Sequence, residues 1–193
     1  MGLEIERRFL VAGPLWRRHV AWQRRLQQGY LVGGSDGLTL RVRLSGTVEH
    51  GQEAWLTLKA PPATACSGPD GLVRQEFEYA IPLADAEALL ALAPHQLSKW
   101  RYGLALPGGD WVVDVFEGGN QPLVVAEVEL DAVDQALALP DWCVLELTGR
   151  HQFSNAALAR TPFSSWPASQ RDPLLRALQA DGQTEPGAGA AEP

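Results

Sequence analysis

The chain has 193 residues, 46% of them hydrophobic and seven of them tryptophan, enough for one domain with a sizeable core plus extensions. A formal net charge of -7 excludes a general nucleic-acid binder, which needs a basic excess, although a basic cavity can sit inside an acidic total. Cys66 and Cys143 have neither metal-site spacing nor disulfide density and point to a reducing compartment; with no secretory leader and no apolar run near the ~20 residues of a membrane span, a soluble cytoplasmic protein without membrane or nucleic-acid partners is expected.

Residues 3–10 alternate, which predicts a strand with Leu3, Ile5 and Phe9 on one face and Glu4, Glu6 and Arg8 on the other. Like charges two residues apart on one face repel, so this row is unfavourable unless something of opposite sign neutralises it. Gly13-Pro14 breaks the run, and residues 15–27 read as an amphipathic helix with Pro14 at its first turn and Arg17, Arg18, Arg24 and Arg25 on a solvated face. Residues 28–32 predict a short strand carrying Tyr30, and the cluster 33–37 a hairpin turn into a strand over 38–45. No helix follows those glycines, so they are a turn and not a phosphate-binding loop. The strand over 38–45 repeats the first device with Arg41 and Arg43 against Leu40, Val42 and Leu44.

Residues 54–60 predict a strand with Trp55, Thr57 and Lys59 on one face and Leu56 and Leu58 on the other. Residues 61–71, rich in Pro, Ala, Ser and Gly, predict a long mobile surface loop. A strand over 72–81 carries Arg74, Glu76 and Glu78 and ends at Pro82, which opens a helix over 83–90 closed by Pro94; His95 reads as a loop histidine. Strands over 96–106, with Lys99 and Arg101, and 110–117, with Asp114, are joined by Pro107-Gly108-Gly109. A turn at 118–120 leads to a strand over 123–130 bearing Glu127 and Glu129. Beyond it the pattern predicts a helix over 131–139, a short edge strand over 144–148, a helix over 154–160 with Ser154 as N-cap, and one more helix over 172–180. Residues 181–193 have nothing to bury and are expected to be disordered. The division is therefore a domain over 1–163 and an extension over 164–193.

An ordinary amphipathic sheet scatters Thr, Ser, Gln and Lys over its wet face; here that face is formal charge of both signs, strand after strand. Eight or so antiparallel strands with few uncovered edges predict an α+β fold, an eight-stranded antiparallel barrel closed into a tunnel. The expected helices at 15–27 and 83–90 would cover the apolar face outside and leave the charges inside. Crowded cations in such a bore need a polyanion, and crowded carboxylates need a hard cation such as Mg2+ or Mn2+. A triphosphate with its divalent metal meets both demands. The chain holds two lysines against fourteen arginines, and both, Lys59 and Lys99, fall on the charged face, which marks them as candidates for chemistry.

Glu4-x-Glu6, Arg41-x-Arg43, Lys59, Glu76-x-Glu78, Lys99-x-Arg101-Tyr102, Asp114 and Glu127-x-Glu129, in this order, resemble the CYTH domain, or triphosphate tunnel metalloenzyme, family. The resemblance runs from about residue 1 to 163 and is closest to the short bacterial members, whose end segment is similar to Phe153-Ser154-Asn155-Ala156. It implies an eight-stranded tunnel, dependence on Mg2+ or Mn2+, and hydrolysis of a small polyanion, inorganic triphosphate first, by a monomer or homodimer. Nucleoside or thiamine triphosphate hydrolysis, class IV-like adenylyl cyclisation, or a weakened polyphosphate-binding module are the alternatives. Residue by residue, the resemblance implies Glu4, Glu6 and Glu129 at the metal, with Asp114, Glu127, Glu76 and Glu78 at a second ion or its waters. It puts Arg41, Arg43, Lys59, Arg74, Lys99 and Arg101 on the phosphates, and Tyr30 on a phosphate or the attacking water. Arg8, Tyr30, Glu76 and Glu78 are the catalytic candidates, with Arg8 also on the phosphates. Arg8 is the departure, since the family signature Glu-x-Glu-x-Lys has lysine; phosphate binding should survive the change, but a role for a neutral amine would not.

Overall fold

The computed structural model describes residues 2–33, 38–47, 51–60, 73–132 and 134–179, and at 2–4, 33, 47, 73 and 74 the backbone alone. Period-two sequence becomes strand through most of this length: β1 (Gly2–Val11), β2 (Val20–Gly33), β3 (Thr39–Thr47), β4 (Gly51–Ala60), β5 (Val73–Ala80), β6 (His95–Leu104), β7 (Asp110–Phe116), β8 (Val124–Glu129) and β9 (Cys143–Glu146). These nine form one antiparallel sheet in the order β5-β4-β3-β2-β6-β7-β8-β1-β9. The first strand is its hub. Glu6–Leu10 pair with β8, Phe9–Val11 with β9, and Gly2–Ile5 with β5, so that β1 meets three neighbours in a sheet of nine strands where eight were expected.

Charge and register agree at three places: Arg8 lies opposite Glu127, Arg101 opposite Asp114 and Lys59 opposite Glu76, whereas Glu6 and Asp110 both face Glu129 and Arg24 faces Arg101. A slip of one residue would turn each charged row to the other face of its strand, among the leucines and valines.

The helix expected over 15–27 is not there. One turn of 3-10 helix, Leu15–His19, follows Pro14, and the chain then runs as β2. The proline cue for a helical start was sound, but Val20 is extended, and β2 gains a ladder to β6 from Val20 and to β3 from Arg25. Two ladders outweigh the small helix propensity of an arginine-rich segment. His95, expected in a loop, opens β6 and pairs with Tyr30. The helix expected over 131–139 is also missing at its described residues; Gln135 instead accepts from the Asp131 N–H and donates to Gly108 O, while Leu137 packs on the Trp111 and Trp142 cluster. The turn over 34–37, the loop over 61–71 with Cys66, and the tail over 181–193 lie outside the described residues.

Three helices do form: α1 (Leu83–Leu92), α2 (Asn155–Arg160) and α3 (Ala168–Gln179). Ser154 caps α2 by accepting from the Ala157 N–H. Ala86 and Leu90 of α1 pack on Val42 and Ala54. That close approach needs Gly29, where a β-carbon would stand 2.7 Å from Ala93 Cβ. A second cluster joins Phe9, Val11, Trp111, Val113, Ala126 and Val128 to Trp16 and Trp142. A third joins Leu10, Tyr30, Leu97, Phe116 and Val125 to Phe153, Leu158, Phe163, Trp166 and Leu174, so α2 and α3 cover one end of the sheet. Among the described residues no helix is long and apolar enough to cross a membrane.

Asn120 ties that end together. It is buried, its Nδ2 donating to Leu158 O at 3.2 Å and its Oδ1 accepting from the Phe163 N–H at 2.9 Å. Asn120→Ala strands both backbone partners and is expected to cost about 1–3 kcal/mol in urea denaturation, because unpaired buried polar groups lose their full solvation; a loss within error of zero would show that the two contacts do not hold the end together.

Candidate active site

Alternation along six strands delivers ten ionised side chains to one cavity of about 280 Å3. Glu6 and Arg8 come from β1, Arg41 and Arg43 from β3, Lys59 from β4, Glu76 and Glu78 from β5, Arg101 from β6, and Glu127 and Glu129 from β8; Asn155 of α2 completes the lining. Five cations therefore face five carboxylates. A smaller adjoining hollow adds Tyr30, Thr39 and Ala156.

Two networks hold these groups. On β3 to β5, Arg43 Nη2 donates to Glu78 Oε1 at 2.9 Å and Arg41 Nη2 to Thr57 Oγ1 at 3.1 Å. Thr57 in turn donates to Glu78 Oε1 at 2.7 Å, and Lys59 Nζ lies 3.1 Å from Glu76 Oε2. On β6 to β8 and β1, Arg101 grips Asp114 with two bonds of 2.7 Å and reaches Glu127 Oε2 at 2.5 Å. Arg8 continues the chain, paired with Glu6 and 3.5 Å from Glu127 Oε1. Behind Arg101, Lys99 Nζ donates to Asp114 Oδ2 at 2.5 Å and to Asn155 Oδ1 at 2.9 Å, with the Phe116 ring 5.3 Å away.

Burial and charge tune these groups in opposite directions. Burial works against the charge on Glu127, but Arg101, Lys99 and Arg8 outweigh it and hold the carboxyl far below its usual range. Burial likewise opposes the Arg101 charge, yet Asp114 and Glu127 keep that guanidinium protonated more firmly than an ordinary arginine. Burial pushes Lys99 down to about 8 against the pull of Asp114, and Arg43, buried and beside Arg41, falls to about 10. Tyr30 is pushed up to about 12, chiefly by burial, and its hydroxyl donates to Gln28 Oε1 at 3.1 Å. Its phenol is therefore a proton-bearing donor at neutral pH.

Of the residues singled out in the sequence, Glu6, Arg8, Arg41, Arg43, Lys59, Glu76, Glu78, Arg101, Glu127 and Glu129 line the cavity, and Tyr30 lines the adjoining hollow. Lys99 and Asp114 do not line it: both are fully buried behind Arg101. Glu4 and Arg74 face each other in the β1–β5 ladder, and their side chains lie outside the described residues. Two contributors carry no charge to announce them. Thr57 could be found from its place two residues before Lys59 on the same face, whereas Asn155 sits on a helix with no pattern of its own.

Among the described residues no three His, Cys, Asp or Glu side chains converge as a metal site. The donor chemistry nevertheless fits: Glu6 and Glu129 are direct cross-strand neighbours, and like charges so placed favour a hard cation between them.

A family model described as the CYTH domain matches residues 2–159. An inorganic triphosphatase of Acetivibrio thermocellus is 32% identical over 168 residues, 86% of this chain and 99% of that one. An inorganic triphosphatase of Nitrosomonas europaea is 38% identical over 161 residues, 81% of this chain and 96% of that one. The crystal structure of the inorganic triphosphatase NE1496 superposes with a TM-score of 0.57 at 33% identity, covering 86% of this chain and 98% of that chain.

The depth of Asp114 separates it from the pair on the surface between Arg7 and Glu146, whose side chains are 26% and 45% exposed. Asp114→Ala leaves Lys99 and Arg101 without their shared carboxylate and is expected to lower unfolding free energy by about 3–5 kcal/mol, whereas Glu146→Gln should cost less than about 1 kcal/mol. Equal losses in denaturant titrations of the two variants would contradict this ranking.

Proposed function

The chain belongs to the CYTH domain family, and from that membership we propose that it hydrolyses the terminal phosphoanhydride of inorganic triphosphate in a divalent-metal-dependent reaction. The observation that carries the reading is the convergence, among the described residues, of five cations and five carboxylates on one cavity of about 280 Å3. We take the pairing of β1 with both β5 and β8 as the closure of an eight-stranded tunnel around that cavity, with β9 as an added edge. We assign residues 1–163 to this domain and 164–193 to an extension, part of which docks back through Trp166 and Leu174.

Arg41, Arg43 and Lys59 bind phosphoryl oxygens from one wall and Arg8 and Arg101 from the other, with guanidinium forks matched to two oxygens at once. Before substrate arrives they are held near the cavity by the Glu76, Glu78, Glu127 and Asp114 contacts, which binding then exchanges for phosphoryl oxygens. Glu6 and Glu129, with Glu4, would hold Mg2+ or Mn2+, which when bound supplies charge neutralisation at the phosphoryl oxygens and lowers the pKa of a water. Tyr30, kept protonated, donates to a phosphate oxygen or orients the attacking water. Water attacks the terminal phosphorus, the bridging P–O bond breaks, and orthophosphate and pyrophosphate leave. Glu127 and Asp114, offered by the sequence as metal ligands, are engaged by Arg101, and the role we give them is to aim it. The cysteine content fits work in the cytoplasm, as a monomer or homodimer.

Purified protein with inorganic triphosphate and Mg2+ or Mn2+ should release one orthophosphate and one pyrophosphate per turnover, and chelator should abolish release. Absence of release with both metals rejects hydrolysis. In that case, tight calorimetric binding of triphosphate together with turnover in Arg8→Lys would identify a polyphosphate-binding module, and cyclic nucleotide from ATP would identify a cyclase.

A further inference from the structure

Among the described residues Asn155 is the one uncharged polar side chain on the main cavity, and it also lines the adjoining hollow beside Tyr30, Arg8 and Lys59. Its amide has two ends with opposite chemistry, an oxygen that accepts and an NH2 that donates. Which end faces where is decided by Lys99. An ammonium has three donors and no acceptor, so the group lying 2.9 Å from Lys99 Nζ is the amide oxygen, Oδ1. Lys99 cannot swing away, because it is fully buried, held by Asp114 at 2.5 Å and packed on the Phe116 ring. The amide is therefore locked in one orientation, and its NH2 arm is turned from the buried lysine toward the cavity that Asn155 lines.

We propose that Asn155 is a substrate-contacting residue whose Nδ2 donates to a phosphoryl oxygen, and that Lys99 is the positioning residue that aims it. This rests on the reading of the cavity as a triphosphate site. It moves Lys99 from the phosphate-binding set to the support behind that set: one ammonium orients Asn155 directly and Arg101 through Asp114. A neutral amide suits this position. A further cation would add to five already crowded charges, and a carboxylate would repel the phosphate.

Asn155→Asp separates contact from mere support, because the two roles predict opposite outcomes. The aspartate keeps the shape and still accepts from Lys99, so a residue that only anchors Lys99 would be unaffected or improved. A residue that donates to phosphate would lose its donor and present a negative charge in its place. KM for inorganic triphosphate is expected to rise roughly ten- to a hundredfold, the loss typical of a hydrogen bond to a charged group, with a smaller change in kcat and an unchanged thermal midpoint. KM within twofold of the parent overturns the proposal. Should the variant not fold, the unaltered protein gives the same answer by NMR: adding Mg2+ with a methylene-bridged triphosphate analogue, which cannot be cleaved, shifts the Asn155 side-chain amide resonances. Binding of the analogue without that shift overturns the role of Asn155 alone, whereas absence of any binding overturns the triphosphate reading and this inference with it.

Discussion

Ten formal charges in one cavity constrain everything around them, because each needs a partner of opposite sign within a few ångströms in a wall of low dielectric. The sheet meets this need at three places through its register. Arg8 stands across from Glu127, Lys59 from Glu76 and Arg101 from Asp114, so there the same alignment that forms the backbone ladders also neutralises the face. At those places charge pattern and strand pairing are one condition. The residues that cannot find a cross-strand partner are bridged by neighbours, as Thr57 does between Arg41 and Glu78.

The charged face is not charged along its whole length. Two residues beyond Arg8 on the same face stands Leu10, and the same step leads from Lys99 to Leu97, from Asp114 to Phe116 and from Glu127 to Val125. These four apolar residues meet Phe153, Leu158, Phe163 and Trp166 in one cluster. One end of the charged face is therefore an ordinary hydrophobic core, and α2, lying over the boundary, brings Leu158 to the apolar side and Asn155 to the polar side. Hydrophobic burial at that end supplies the stability that a charge-lined interior lacks, since ion pairs out of water recover their desolvation cost only partly.

Much of this was legible in the sequence. Alternation identified the strands and, along each, the residues of the charged face, and ten of those singled out share the cavity. Alternation says nothing of depth along the strand axis, which is why Lys99 and Asp114 read like Arg101 and yet lie behind it, fully buried. It also fails where both periods fit: the arginine-rich run after Pro14 satisfies a helix and a strand alike, and only the ladders to β3 and β6 decide. The helix read over residues 131–139 failed for a different reason, the side-chain anchoring of Gln135 to the turn at Gly108, which no local pattern encodes. Asn155 was legible only as part of the end segment 153–156 that resembles the family, because no alternation marks it and its anchor is a lysine 56 positions away.

The pairing of each of the cavity's five described cations with a carboxylate also bears on how a polyanion enters. A triphosphate arriving bare would draw Arg41 and Arg43 from Glu78 and Lys59 from Glu76, leaving those carboxylates beside phosphate oxygens of the same sign. A divalent ion arriving alone would meet the converse difficulty, drawing Glu6 from Arg8 and leaving the guanidinium with Glu127 alone. On the reading proposed above, with both bound the cations would turn to phosphate and the carboxylates to the metal, whose two positive charges offset part of the charge that the triphosphate brings. Such coupling is reciprocal, each ligand strengthening the other by the same factor. Arg8 is placed for this exchange better than for proton transfer, because its planar fork reaches Glu6 and Glu127 at once and its charge is not given up near neutral pH.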